Sequence, residues 1–365
     1  MATKEKLQFA PDYAVPPGET ILETLEELGM TQSELADRMG RPKKTINEII
    51  HAKAAITPET ALQLERALGV PARVWNNLER DYREALARIA EQEELTRGLT
   101  LLKRIPLKDL IARGYVTELK DKVEQVRQLL KFFAVGTVKG WETTYAEPQA
   151  SFRAARTFER DPGAVAAWMR AGELEAANLS LGAYDPVRFK ATLAETRGLT
   201  RKPFVVALKE AQQRCAEAGV AFVVVPEFEK ARLCGLARWA HGKPLIQLSL
   251  RYGTDDHFWF TFFHEAAHIL LHRKTEVFIE GKGDDGTVDV QEEEANKFAE
   301  KALLSPASYE AFVKAGEFTP NAIEQFAREQ GIAPSIVVGR LQRQGHISYQ
   351  ACPGMKQPIK DMVLT

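Results

Sequence analysis

No stretch constrains this chain more than WFTFFHEAAHILLHRK, residues 259–274. Its aromatic and aliphatic residues describe a helix buried in a domain interior, yet His264, Glu265 and His268 are set into it. A helix advances about 100° per residue, so His264 and His268, four apart, project from nearly the same side, one turn above the other. Two imidazoles then converge on one point. Glu265, the next residue round, lies near that point without competing for it. Two nitrogen ligands, with a carboxylate beside them placed to take a proton from water, form the donor set of a hydrolytic zinc centre.

Such a centre needs a third protein ligand. His272 extends the series, but eight helical residues rise about 12 Å, too far for three histidines to reach one ion. The long zinc motif HExxHxxGxxH would require a glycine at position 271 and a histidine at 274, where this chain has Leu271 and Lys274. What remains is a glutamate from the following helix, where EEEAN supplies Glu292, Glu293 and Glu294. Asn296 lies one turn beyond Glu292 on the same face, so Glu292 can bind a metal while the Asn296 amide orients a ligand histidine. Three successive glutamates also suit a solvated helix start favoured by the helix dipole, and Glu293 and Glu294 are read that way.

The stretch WFTFFHEAAHILLH, followed by EEEANKFAEKALLSP and preceded by GLARW and IQLSLRY, resembles the ImmA/IrrE family of zinc-dependent metallo-endopeptidases. The likeness runs over residues 200–315, with FAREQGIAPSIVVGRLQ as an extension. It implies Zn2+ held by His264, His268 and Glu292, with Glu265 as catalytic base. It also implies a protein substrate, commonly a transcriptional repressor, cut for control rather than digestion. The ending LLSP in place of the more usual LLMP is expected to affect packing only. Arg251, Tyr252 and His257 are near enough in sequence to assist at the oxyanion, and nothing in the sequence chooses between them.

The first ninety residues read as short, tightly punctuated helices. PPGETILETLEELGM starts one after Pro17-Gly18, TQSELADRMG gives a second with Thr31 and Glu34 as a capping box, and RPKKTINEIIHAK gives a third. Another opens at Thr57-Pro58-Glu59. Helix, short turn at Gly40, helix is the spacing of a helix-turn-helix. The stretch from Pro16 to Gly69 resembles the Xre-type helix-turn-helix domains, most closely those of HigA-like antitoxins. That likeness implies that Gln32 begins the supporting helix and that residues 42–51 form the recognition helix. Lys43, Lys44, Thr45 and Asn47 would then face the major groove of double-stranded DNA or its flanking phosphates, with a homodimer expected on two half-sites. Two departures stand out: Pro42 where a Ser or Thr cap is usual, and His51-Ala52 where Asn-Gly is usual. A missing glycine at a positive-φ position costs about 1 kcal/mol.

Residues 1–90 hold 12 basic and 14 acidic side chains, so any attraction to DNA is local: Arg41, Lys43, Lys44 and Lys53 lie close together with one acid, Glu48, among them. DNA affinity is accordingly expected to be modest and salt-dependent. A helical module kept for protein contacts is the alternative. The whole chain, 49 basic against 50 acidic residues, has no global pull toward nucleic acid or membrane. Three cysteines without a CxxC pair argue against a disulfide framework, and neither a signal segment nor a long apolar span is visible. A cytoplasmic protein is expected.

The fold class expected is mainly α with a small β-sheet. Residues 1–95 form the helix-turn-helix domain, and a linker sits near residues 95–106 within a helical connecting region, 96–200. Residues 201–315 form a zincin-like peptidase domain with three short strands in AFVVVP, GLARWAHGK and PLIQLSL, and residues 316–365 a helical extension. The whole reads as a DNA-binding regulator fused to a zinc endopeptidase. The alternatives are a non-enzymatic HigA-like antitoxin or repressor using the metal domain as sensor or partner surface, and a peptidase that cuts its own linker.

Overall fold

Caps and breakers set the helices of the N-terminal part: α1 Pro17–Glu27, α2 Gln32–Met39, α3 Lys43–Ile50, α4 Pro58–Leu68 and α5 Ala72–Arg97. The Thr31 hydroxyl accepts from the Glu34 N–H at 3.2 Å, and the Thr31 N–H donates to the Glu34 carboxylate at 2.7 Å, the reciprocal cap that opens α2. Gly40 and Gly69, both at positive φ, close α2 and α4. Ile21, Leu35, Ile46, Leu64 and Trp75 meet in one core. Gly18 lets α1 approach α3, since a Cβ there would lie 1.9 Å from the Ile50 carbonyl oxygen. The helix expected to end near Gln92 runs on to Arg97, because no glycine or proline interrupts it before Gly98. Glu94 to Arg97 are therefore helix and not linker.

The computed structural model describes residues 13–146, 161–272, 278–279 and 290–363. It divides into two units, Met1–Leu99 and Thr100–Thr365. The second is mainly helical around a four-stranded mixed sheet. Strands β1 Ala221–Val224, β2 Gly235–Ala240 and β3 Lys243–Leu248 fall in the three apolar stretches expected, and Phe278–Ile279 adds a fourth, β4. The order is β1-β3-β2-β4, with β1 parallel to β3 and the other pairs antiparallel. A two-residue strand has no alternation to read, which is why β4 is invisible in sequence. His241 and Gly242, both at positive φ, turn β2 into β3.

The named helices of this unit are α6 Lys122–Phe133, α7 Pro162–Ala177, α8 Pro186–Leu199, α9 Phe204–Glu217, α10 Asp255–Leu271, α11 Val290–Leu303, α12 Pro306–Ala315, α13 Pro320–Gln330 and α14 Pro334–Arg343. The described residues of 107–200, a region expected as a connector, belong to the same unit as the sheet. In α7, the Trp168 indole donates to the Val225 carbonyl at 2.8 Å, and Glu173 pairs with Arg238 of β2 at 2.7 Å. Gln247 of β3 donates to the Trp168 carbonyl at 2.6 Å across Gly172, where a Cβ would strike the Gln247 amide. Within the expected linker, Leu95, Leu101 and Ile105 are buried, while Thr96, Arg97, Thr100, Lys103 and Arg104 are exposed. The C-terminal extension is equally built in. Ser335 of α14 donates to Asp255 at 2.7 Å, Lys356 pairs with Asp256 at 2.7 Å, and the Asp255 N–H donates to the Gln357 carbonyl at 3.1 Å. The tail thereby straps the first turn of α10. The glycine and aspartate loop expected before α11 lies outside the described residues.

Candidate metal centre and nucleic-acid interface

Helix α10 is apolar on nearly every face, because it runs through the centre of its unit with Trp259, Phe262 and Phe263 fully enclosed. His264 and His268 are 1% and 2% exposed, and Glu265 is fully buried. The i, i+4 spacing brings the Nε2 atoms of His264 and His268 to 3.0 Å. From α11, Glu292 places one carboxylate oxygen 3.5 Å from His264 Nε2 and the other 3.6 Å from His268 Nε2. Ligand atoms of all three lie within 4.8 Å of one another. Two imidazoles and a carboxylate, enclosed and facing one point, fit a zinc ion by donor chemistry and by number.

The structure also brings Asn296 to this group, its Oδ1 3.1 Å from His264 Nδ1. Glu293 turns away to pair with Lys297 at 2.6 Å on the surface. His272 is outside the three-residue group, as the helical rise requires, but its Nδ1 is 2.9 Å from His268 Nδ1. Its Nε2 lies 3.3 Å from Glu294. Glu294 is exposed near the start of α11, as a solvated helix start should be, and it also meets the histidine behind His268. Arg251, Tyr252 and His257 come together around a different pocket, with Cys234, Ser249 and Thr261, at the N-terminal end of α10. There Tyr252 stacks on His257 at 4.7 Å and Arg251 pairs with Glu227 at 3.3 Å.

Two residues at the site went unnoticed in the sequence. Gly235 opens β2 directly beside the Glu265 carboxylate, and a Cβ at that position would lie 2.5 Å from Oε1. A glycine at the head of a strand is the available signal for such a close approach. Arg343, at the end of α14, donates to Asn296 Oδ1 at 3.4 Å, with its guanidinium 4.3 Å from the centre of the Phe260 ring. No sequence signal separates it from any other helix-ending arginine.

In the first unit, Gln32 is the first residue of α2 and is half-buried. Lys43, Lys44 and Asn47 are exposed on α3, Thr45 is half-buried, and Ile46, Ile49 and Ile50 turn the other face into the core. Pro42 makes no side-chain cap, and Ala52 sits at φ 56°, the left-handed conformation that the missing glycine would have suited. Arg41 is drawn toward α4, its Nε 2.5 Å from Gln63 and its other nitrogen 3.3 Å from Glu59. The cationic patch is consequently centred on Lys43 and Lys44.

Residues 21–75 match the family described as Helix-turn-helix. Among known proteins, the chain is 36% identical over 63 residues to the "Uncharacterized HTH-type transcriptional regulator YddM" of Escherichia coli, covering 17% of this chain and 67% of that protein. It is 34% identical over 82 residues to "Virulence-associated protein I" of Dichelobacter nodosus, covering 22% and 73%. Among solved structures, an addiction module antidote protein of a HigA family from Coxiella burnetii is 27% identical, covering 23% of this chain and 92% of that one with a TM-score of 0.22. The family match lies wholly inside the Met1–Leu99 unit.

Proposed function

The chain belongs to the helix-turn-helix family through residues 21–75, and from that premise we propose a DNA-binding transcriptional regulator whose second unit is a zinc-dependent endopeptidase. The observation that carries the enzyme half is the convergence of His264, His268 and Glu292 within 4.8 Å, with Glu265 enclosed beside them. His264, His268 and Glu292 would hold the ion. When bound, zinc supplies Lewis acidity toward water and the scissile carbonyl. Glu265 is the general base, taking a proton from water and returning it to the leaving amine. Gly235 leaves room for that carboxylate, and Asn296 steadies His264.

The substrate we propose is a regulatory protein such as a repressor, on the resemblance of residues 200–315 to the ImmA/IrrE peptidases. On the DNA side, α3 enters the major groove with Lys43 and Lys44 on phosphates and Asn47 on a base edge, and two copies bind two half-sites as a homodimer. No described helix is long and apolar enough to cross a membrane.

Metal analysis and mass spectrometry of candidate repressors test the enzyme half together. One zinc per chain is expected, lost in His264→Ala, His268→Ala and Glu292→Ala and kept in Glu293→Ala. Glu265→Gln should keep zinc and fold but lose about 10²–10⁴-fold in cleavage, since an amide cannot accept the proton. Equal turnover by Glu265→Gln and wild type would sink the peptidase and leave a non-enzymatic repressor.

A further inference from the structure

We propose that the exposed length of α5 is a self-pairing surface, on which a second copy of this chain lays its own α5 antiparallel. The proposal deepens the homodimer of the DNA-binding reading and rests on that reading for its purpose. Helix α5 runs for 26 residues, and only its first turns belong to the core of its unit, through Ala72 and Trp75 with Leu78 packed beside them. The same seam continues beyond that core. Trp75, Leu78, Tyr82, Ala85 and Ile89 recur three and four residues apart, the spacing of a two-helix contact. From Arg80 to Glu94 every residue is exposed except Tyr82, Ala85 and Ile89, which are half-buried, and Leu86 beside them is an exposed apolar side chain. A helix with one apolar stripe gains its stability by burying that stripe against another element.

Size and charge together select the register. In an antiparallel pair that sets Leu78 opposite Ile89 of the second copy, Tyr82 falls opposite Ala85, so the largest side chain of the stripe meets the smallest, and the two-fold axis repeats the match. On one flank of the seam the same register brings Asp81 to Arg88 of the second copy, again twice. Sliding one copy by seven residues would place Arg88 against Arg88 or Asp81 against Asp81, both repulsive. A parallel pair would stack tyrosine on tyrosine and alanine on alanine, leaving a gap at the second, and would set Asp81 beside Leu86. Within one chain Asp81 pairs with Arg80 at 2.8 Å and Arg88 with Glu84 at 2.5 Å, but the side chains of Asp81 and Arg88 are 62% and 60% exposed. Surface pairs of that kind are worth little, so both groups are available to a partner. The seam from Leu78 to Ile89 is roughly 17 Å long at the helical rise, short enough to make the dimer a reversible one.

Sedimentation equilibrium of the full-length protein without DNA tests the pairing. Wild type should show monomer and dimer in reversible equilibrium. Asp81→Arg and Arg88→Asp each turn two attractions into two repulsions, so each should weaken the dimer about tenfold. An equimolar mixture of the two variants restores both attractions between unlike chains, and so does Asp81→Arg combined with Arg88→Asp on one chain. Both should return to within about threefold of wild type, a rescue that only the antiparallel register gives. Ile89→Asp, on the seam itself, should abolish the dimer, while the charge variants, altered only at exposed side chains, keep the fold. A wild type that stays monomeric at every concentration, single reversals without effect, a double variant no better than the singles, or a dimer that survives Ile89→Asp overturns the proposal. DNA enters none of these measurements, so a chain that dimerises as described yet ignores DNA would strike the reading of α3 and leave the pairing standing.

Discussion

Glu265 has its place because residue 235 has no side chain. Its carboxylate is enclosed against the first residue of β2, and the space a Cβ would need is already taken by Oε1 at 2.5 Å and Thr261 Cγ2 at 2.7 Å. Gly235→Ala must therefore push Glu265 or the strand aside. On the proposed peptidase reading, displacing the general base misaligns proton transfer without touching the metal ligands, so activity should fall on the order of 10²-fold with zinc content unchanged. Parallel metal analysis and cleavage of the same preparation check this; full activity in the alanine variant would mean that the cradle is incidental. Ala52 is the converse case, a side chain where none is wanted. At φ 56° it bears the left-handed penalty at the end of α3. Ala52→Gly relieves that strain while loosening the unfolded chain, and the net gain should be about 0.5–1 kcal/mol. Amide exchange at Ile46 and Ile49 should slow accordingly.

Among the elements, α10 is held at both ends by groups distant in sequence. Its first turn carries Asp255, which accepts from Ser335 and from the Gln357 N–H at 2.8 Å. Burial nevertheless raises the Asp255 carboxyl above its ordinary value of 3.8, outweighing those hydrogen bonds. The sign follows from linkage: the folded chain binds this proton more tightly than the unfolded one, so stability falls as pH rises from about 4 through the raised value. Asp255→Asn removes that titration while keeping an acceptor for Gln357 and a partner for Ser335. Denaturant midpoints measured from pH 4 upward should decline less in the variant, and identical slopes would show that the tail's hydrogen bonds fully offset the burial. At its other end α10 meets α11 through His264, His268 and Glu292 and α14 through Arg343 on Phe260, so the candidate metal group and its surroundings draw on three helices spread over about eighty residues of chain.

For the whole molecule, two units on one chain invite a test of why they are joined. A chain beginning at Thr100 retains every residue of the candidate metal group, since all lie in the Thr100–Thr365 unit. It should cleave free substrate at nearly the full-length rate and operator-bound substrate more slowly, because the DNA-reading unit no longer raises its local concentration there. The comparison is one cleavage assay with and without operator DNA at low salt, where the DNA contribution is largest. Equal rates on both would separate the two activities. By itself the sequence determined what is local and periodic: the punctuated helices from Pro17 to Leu68, two of them opened by threonine caps, the three strands from Ala221 to Leu248, and the four-residue spacing that aligns His264 with His268. Those depend on backbone geometry within a few residues. Glu292 and Asn296 were reachable because they share one helical face. Tertiary structure decided the rest. It folded the described parts of the supposed connector 107–200 into the sheet-bearing unit, seated Glu265 against Gly235, brought Glu294 and His272 to His268, and brought Arg343 to Asn296 beside His264. None of these contacts leaves a period or a motif, since packing between distant segments is written only in which surfaces happen to fit.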